Sequence, residues 1–229
     1  MFWDDTPATT PEQAEDTVDL AFRVHCPALP LDHAHALSQQ ICALLPWLQD
    51  EPRAGIHLIH GAESGNGWQR PEATADATIP LSRRTRLRLR LPRTRVEQAR
   101  EIRGTRLDLG SAPLKIGEFT IVPLRAQPAL MARHVIARPD QDEDAFLAEV
   151  AASLSAMGVP ISKLLCGRSH QLQTPYGALF TRRLLVADLD PLASLRLQRE
   201  GLGPERLMGC GLFDGHKDVA PVHSSPAMH

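Results

Sequence analysis

Apolar and polar positions change places in two rhythms along this chain, and the elements follow from where each rhythm holds. Val18–His25, VDLAFRVH, alternates roughly residue by residue, which predicts a strand. The stretch LPLDHAHALSQQICALLPWL then carries Leu37, Ile41, Leu44, Leu45 and Leu48 at helical spacing, with Asp32 placed as N-cap. GIHLIH, residues 55–60, reads as a short second strand, followed by a Gly/Pro/Ala-rich loop from Gly61 to Pro80. RTRLRLRLP alternates strictly, with Arg84, Arg86, Arg88 and Arg90 on one face and Leu87, Leu89 and Leu91 on the other. Pro92 ends it. TRVEQAREI reads as a short helix, and TRLDLGSAPLKIGEFTIVPL as a hairpin or a strand with a turn at Gly110.

The same order then repeats. Ala129–Ala137 is a strand, and DQDEDAFLAEVAASLSAMG is an amphipathic helix with an acidic first turn and Gly158 at its end. ISKLLCGRSHQLQ and GALFTRRLLVADL are two strands flanking Pro175-Tyr176-Gly177, where Tyr176 is expected to pack the turn. DPLASLRLQRE is a helix capped by Asp190, with Pro191 at its first position. A last strand lies in LFDGHKDV. The predicted class is α+β, as two tandem ferredoxin-like β-α-β-β-α-β units with a C-terminal glycine-rich loop. The expected divisions are an acidic flexible leader at 1–16, a first unit at 17–124, a second at 129–220 with its glycine loop at 201–211, and a tail at 221–229. RAQP, residues 125–128, is the linker.

Composition narrows the function classes. The 229 residues suffice for one large or two small cores. No apolar run approaches the ~20 residues that span a bilayer, and the leader has the wrong charge and hydropathy for a signal peptide. Cys26, Cys42, Cys166 and Cys210 are scattered with no C-x-x-C, which argues for reduced, cytoplasmic thiols and no zinc site. Net charge is −2, yet ten Arg against two acids lie between Ser82 and Arg106. That segment is either a solvated strand face or a binding face for a polyanion.

The stretch EGLGPERLMGCGLFDGHKDV places Gly201, Gly203, Gly209 and Gly211 between the second helix of the second half and its last strand. Gly201 suits a helix C-cap. The stretch holds no Gly-Lys-Ser/Thr and no G-x-G-x-x-G, so it is neither a Walker loop nor a dinucleotide fingerprint. It is either a long turn or an anion-binding backbone nest, with Arg206 and Lys217 near it.

Taken with LPLDHAHAL, GIHLIHGA, LSRRTRLRLRLP and LLCGRSHQL, this glycine loop makes the chain resemble the RAMP superfamily of CRISPR systems. Within it the chain resembles the precursor-CRISPR-RNA endoribonucleases, and among those the MYXAN subtype. The resemblance implies metal-independent cleavage of repeat RNA, without a cofactor. The 2′-OH attacks in line and leaves a 2′,3′-cyclic phosphate and a 5′-OH. It also implies CRISPR repeat RNA as partner, other Cas proteins as further partners, and no membrane. In such enzymes a histidine in or near the first helix of the first unit often has the catalytic role, and here that region carries His33 and His35. Tyrosine is usual in the family where His35 stands, so the chain departs from the pattern there.

A histidine serves this chemistry because it titrates near neutral pH. With a helix starting at Asp32, His33 shares the core side with Leu37 and His35 points about 200° away from Leu37, so the two are not an acid–base couple. They are also a poor metal site, having no third ligand at sensible spacing. His216, beside Lys217, is a second catalytic candidate or an RNA contact. His57 and His60 are expected on opposite faces of a strand, His60 as a core or edge residue, and His134 as structural. The expected RNA contacts are Arg84, Arg86, Arg88, Arg90, Gly201, Gly203, Arg206, Gly209, Gly211 and Lys217. Two other readings stay open: a non-catalytic RAMP-type RNA-binding subunit, and a ferredoxin-like enzyme for a small anion.

Overall fold

The computed structural model describes residues 16–61, 77–110 and 112–216. The leader up to residue 15, Lys217 and the tail lie outside them.

The first half runs β1 (Thr17–His25), β2 (Ala28–Pro30), α1 (Ala34–Leu44), β3 (Gly55–His57), β4 (Thr78–Pro80), β5 (Arg86–Pro92), α2 (Val96–Ala99), β6 (Arg106–Leu107) and β7 (Leu114–Pro123). The second runs β8 (Ala129–Ile136), α3 (Glu143–Ala156), β9 (Lys163–Thr174), β10 (Gly177–Ala187), α4 (Pro191–Glu200) and β11 (Phe213–Gly215). Two antiparallel sheets carry the molecule, in the orders β3-β5-β1-β7-β6 and β11-β8-β10-β9. The mixture of helices and antiparallel strands is α+β.

Strict alternation in β5 is what seats the first core. Leu87, Leu89 and Leu91 are fully buried with Leu20, Phe22, Leu37 and Ile41. Burying each such side chain stabilises the fold by about 1.5–3 kcal/mol. In the second half Phe146, Val150 and Leu154 of α3 and Leu197 of α4 pack on Leu130, Leu184 and Val186. A smaller cluster of Ala34, Leu172, Met208 and Cys210 joins the halves.

The helix punctuation of the second half matches its sequence. Asp142 accepts from the Ala145 N–H at 2.7 Å, and Asp190 from the Ala193 N–H at 2.8 Å. In the first half it differs. α1 starts at Ala34, its N-cap is His33, and no side chain caps it. Asp32 is instead drawn across to β9, where it accepts from the Gln173 N–H at 3.1 Å. The second helix of the first half is one α turn between 3₁₀ turns at 93–95 and 100–102. β2 and β4 form a two-stranded ribbon the pattern did not predict, with Leu29 opposite Ile79. Tyr176 is 94% exposed at the β9–β10 turn, so it packs nothing there, contrary to expectation.

Candidate functional site

Because β1 and β5 lie at the centre of their sheet, the face opposite the leucines had to be covered, and the second half covers its inner end. Arg90 is 1% exposed. Its Nε and Nη2 donate to the two oxygens of Asp19 at 2.8 and 3.1 Å, and its Nη1 to the carbonyls of Gln198 and Phe213 at 3.0 and 2.8 Å. Arg88, one register step outward, grips Asp214 of β11 and meets His57 Nδ1 at 3.0 Å. Burial alone would raise the Asp19 carboxyl, but Arg90 and His57 hold it well below the carboxylate range. Against the same burial, His57 and Arg88 hold Asp214 down at about 2. His57 is pushed below the ordinary histidine value, by burial first and then by Arg88.

This network corrects the expected RNA face. Arg90 is shut inside the junction and cannot meet RNA. Arg88 is one-third exposed and borders a cleft. Arg86 is half-buried, with Nη1 on the carbonyls of Arg83 and Thr85, and Arg84 lies exposed in the preceding turn. Asp19, His57 and Asp214 bring three possible metal ligands within 4.8 Å of one another. Two guanidiniums already neutralise the two carboxylates, so the set does not fit a divalent cation.

The glycine loop is likewise closed on the protein. The N–H groups of Leu202, Met208, Gly209, Cys210 and Gly211 all donate to protein carbonyls, Gly211 to His134 at 2.7 Å. These five donors are therefore not part of the expected anion nest. At Gly211, φ is 65° and a Cβ would stand 2.0 Å from the Leu202 carbonyl oxygen. At Gly209 it would strike Leu58 and the Ile56 carbonyl, so this glycine lets the loop press onto β3. Gly201 is the helix C-cap, with φ 68°. Gly203 alone of the four is exposed. Arg206 is corrected too, since its guanidinium donates to the carbonyls of Arg53, Ala54, Arg199 and Glu200. Burial, with Arg90 near it, lowers its pKa to about 10.

The three candidate histidines part company. His33 is buried, with Nδ1 2.9 Å from the Pro30 carbonyl and Nε2 accepting from the Ile59 N–H at 3.2 Å. That pair of bonds requires the neutral Nδ1–H tautomer. His33 therefore anchors the chain beyond β3. His35 is half-buried, and its Nε2 is shielded from solvent with no hydrogen-bond partner among the described residues. His216 follows β11 with its N–H on the Ala129 carbonyl at 2.9 Å, and its ring lines the cleft.

That cleft, of about 410 Å³, opens where the halves meet. His60, His134 and His216 line it together with Arg88 and Arg133. β3 ends at His57, the chain turns, and His57 and His60 reach the same cleft rather than opposite faces. The His60 ring lies over His134 at 6.5 Å with 19° between planes, and His134 Nδ1 meets Thr181 Oγ1 at 3.0 Å. Burial, then Arg133 and His134, push His60 well below its usual value. No periodicity in the sequence marks these partners. The one available signal was Arg133-His134 standing together on a strand whose neighbours are apolar.

An α+β frame of two antiparallel sheets with imidazoles and guanidiniums in the cleft between them defines a protein able to hold an anion where protons are exchanged. The family model described as Cas6 Crispr matches residues 18–218. A Myxococcus xanthus (strain DK1622) protein named CRISPR-associated endonuclease Cas6 is 31% identical over 196 residues, covering 86% of this chain and 80% of that protein. The chain belongs to the Cas6 family. Its fold is similar to that of a solved CRISPR-associated Cas6 protein, with TM-score 0.59 at 9% identity over 88% of this chain and all of the other. It is similar also to a Cas6-related protein from Pyrococcus furiosus, with TM-score 0.54 at 13% identity over 86% and 98%. Among the described residues no helix is long and apolar enough to cross a membrane.

Proposed function

We propose that this chain cuts CRISPR repeat RNA into guide RNAs without a metal ion or cofactor, and that the cleft between the halves is where it cuts. The observation that carries this reading is the gathering of His60, His134 and His216 with Arg88 and Arg133 in one cleft of a Cas6-family chain. The architecture we assign is two ferredoxin-like units, 17–124 and 129–220. Both sheets support it by setting the fourth, first, third and second main strands of their halves side by side. The four free cysteines suit a reducing cytoplasm.

The scissile phosphate sits against Arg88 and Arg133, whose charge stabilises the pentavalent transition state. His60, kept neutral by its burial, accepts the 2′-OH proton as the O2′–P bond forms. His216, on β11's side of the cleft, donates a proton to the 5′-oxygen as the P–O5′ bond breaks. The products are a 2′,3′-cyclic phosphate and a 5′-OH. His33 acts on the reaction through its bond to Ile59, which sets His60. His35 remains a candidate acid or base because its Nε2 lacks a partner.

Cleavage of the repeat RNA in excess EDTA, resolved on a denaturing gel, tests this. Native RNA is expected to give a single cut, and RNA with a 2′-deoxy group at the cut to give none. His60→Ala and His216→Ala are expected to slow single-turnover cleavage by about 10²–10⁴-fold. A 5′-bridging phosphorothiolate, whose sulfur leaves without a proton, should rescue His216→Ala and not His60→Ala. Tight binding without cleavage by the wild-type protein would overturn the nuclease reading. Full activity in both variants, with loss in His35→Ala, would move the chemistry to the start of α1.

A further inference from the structure

The basic face of the first sheet leaves the junction at its outer end, and the pairing there is unusual. Arg23 of β1 stands directly opposite Arg86 of β5. Two residues on, His25 stands opposite Lys115 of β7, which stands opposite Arg106 of β6. Directly paired residues project from one sheet face, as do residues two apart on a strand. All five side chains therefore share the face that carries Arg88 and Arg90. Arg23, His25, Lys115 and Arg106 are exposed.

Like charges placed opposite one another across a ladder destabilise a sheet. Here no carboxylate among the described residues relieves them. Among the described residues, Arg23, Arg86, Lys115 and Arg106 have no carboxylate partner, nor does Arg83 in the turn before β5. By contrast, exposed Arg100 and Arg103 are paired with Glu97 and Glu118. Arg23, His25, Arg83 and Arg86 line a hollow of about 550 Å³ with Ser82, and among the described residues no acid lines it. Neighbouring strands are about 4.8 Å apart, and alternate residues along a strand about 7 Å. Such a grid of cations is larger than one small anion needs, and it suits a run of phosphates.

We propose that this end of the sheet, Arg23, Arg86, Lys115 and Arg106 with Arg83 beside them, is a second RNA site that holds the phosphodiester backbone flanking the cut. It rests on the reading of the protein as a repeat-RNA nuclease. Arg88, which borders the cleft, stands two residues from Arg86 on the same face, so one strand of RNA can pass from the cleft onto the grid. The site reads backbone and not bases, because guanidinium and ammonium groups meet phosphate whatever the sequence.

Binding is measured by fluorescence anisotropy on repeat RNA with a 2′-deoxy group at the cut, across a salt series. The proteins compared are wild type, Arg23→Gln/Arg86→Gln, Arg106→Gln/Lys115→Gln, and the control Arg100→Gln/Arg103→Gln. Each of the first two double variants is expected to bind about tenfold more weakly at low salt. Its log–log salt slope should be shallower by about 1.4, two contacts at roughly 0.7 each. Melting temperatures should be unchanged or raised, since repulsion is relieved, and the control should bind within twofold of wild type. Wild-type affinity and slope in both pocket variants would overturn the site, as would an equal loss in the control. If wild type binds but leaves native repeat uncut, the nuclease reading fails while these binding data still judge the site. Absence of wild-type binding would overturn both.

Discussion

Arg90 was written into the sequence as one of four equivalent arginines, and burial made it different from the rest. At 1% exposure it cannot be solvated by water, so Asp19 and two backbone carbonyls must do that work. Removing one partner of a buried ion pair leaves the other uncompensated and typically costs about 3–5 kcal/mol. Asp19→Asn is expected to destabilise the protein by that order in urea unfolding. Asp19→Leu/Arg90→Met should recover part of the loss, and not all, because Arg90 also holds Gln198 and Phe213. Recovery of nothing would mean the carbonyl contacts matter more than the pair. His60 makes the same point for chemistry. Its pKa is held below 6.5, so the limb of the cleavage profile that needs a neutral base is expected to fall off below pH 6.5. An acidic limb that keeps the same midpoint in His60→Ala would remove it from the reaction.

At the scale of elements, capping and alternation were legible because they are local. Asp142 and Asp190 each precede a helix and each accept from the N–H three residues on; the sequence predicted the cap at Asp190, and for the helix after Asp142 only its acidic first turn. Alanine at either position is expected to cost about 1 kcal/mol, read as a shift in unfolding midpoint with unchanged slope. Asp32 sits in an equivalent place and caps nothing, because β9 of the other half offers it the Gln173 N–H. No local pattern carries that information. The glycine loop divides the same way. Its position after α4 followed from the sequence, but its contact with β3 and with the His134 carbonyl depends on how the halves dock. Gly211→Ala, with its Cβ 2.0 Å from a carbonyl oxygen, is expected to destabilise by several kcal/mol, whereas Gly203→Ala, with open space around it, should cost far less. Similar losses at both positions would show that the strain lies elsewhere.

For the molecule as a whole, the junction is held by charge as much as by apolar contact. Asp19 and Asp214 both have folded pKa values depressed below their unfolded values. The stability they contribute is therefore fully present above about pH 4, the unfolded carboxylate range; the share of Asp214 is lost as pH falls through about 2, and that of Asp19 only at still lower pH. Acid unfolding is expected to begin in that window, and Asp214→Asn should flatten the dependence there. Because Arg88 and Arg90 tie β5 to β11, the two halves should melt in one transition at neutral pH. Separate transitions at pH 7 would mean that the network does not couple them. The exposed end of the same face, with Arg23 opposite Arg86 and Lys115 opposite Arg106, has no such carboxylate among the described residues.

The sequence alone determined the order of the main strands and helices, the α+β class, the family resemblance, the Asp190 cap of α4, and the leucine face of β5. Each depends on neighbours within a few residues or on a motif read as a string. Tertiary structure decided the rest. It set which arginines of one strand are sealed against Asp19 and which reach solvent. It sent His33 to the backbone of Ile59, and it brought His60 from beyond β3, His134 from β8 and His216 from just after β11 into one cleft. The sealing of Arg90 turns on contacts between residues 71 and 123 positions apart, with Asp19 and with Phe213. Periodicity assigns a side chain to a face. Only the docking of the two halves determines whether that face meets water, a carboxylate or RNA.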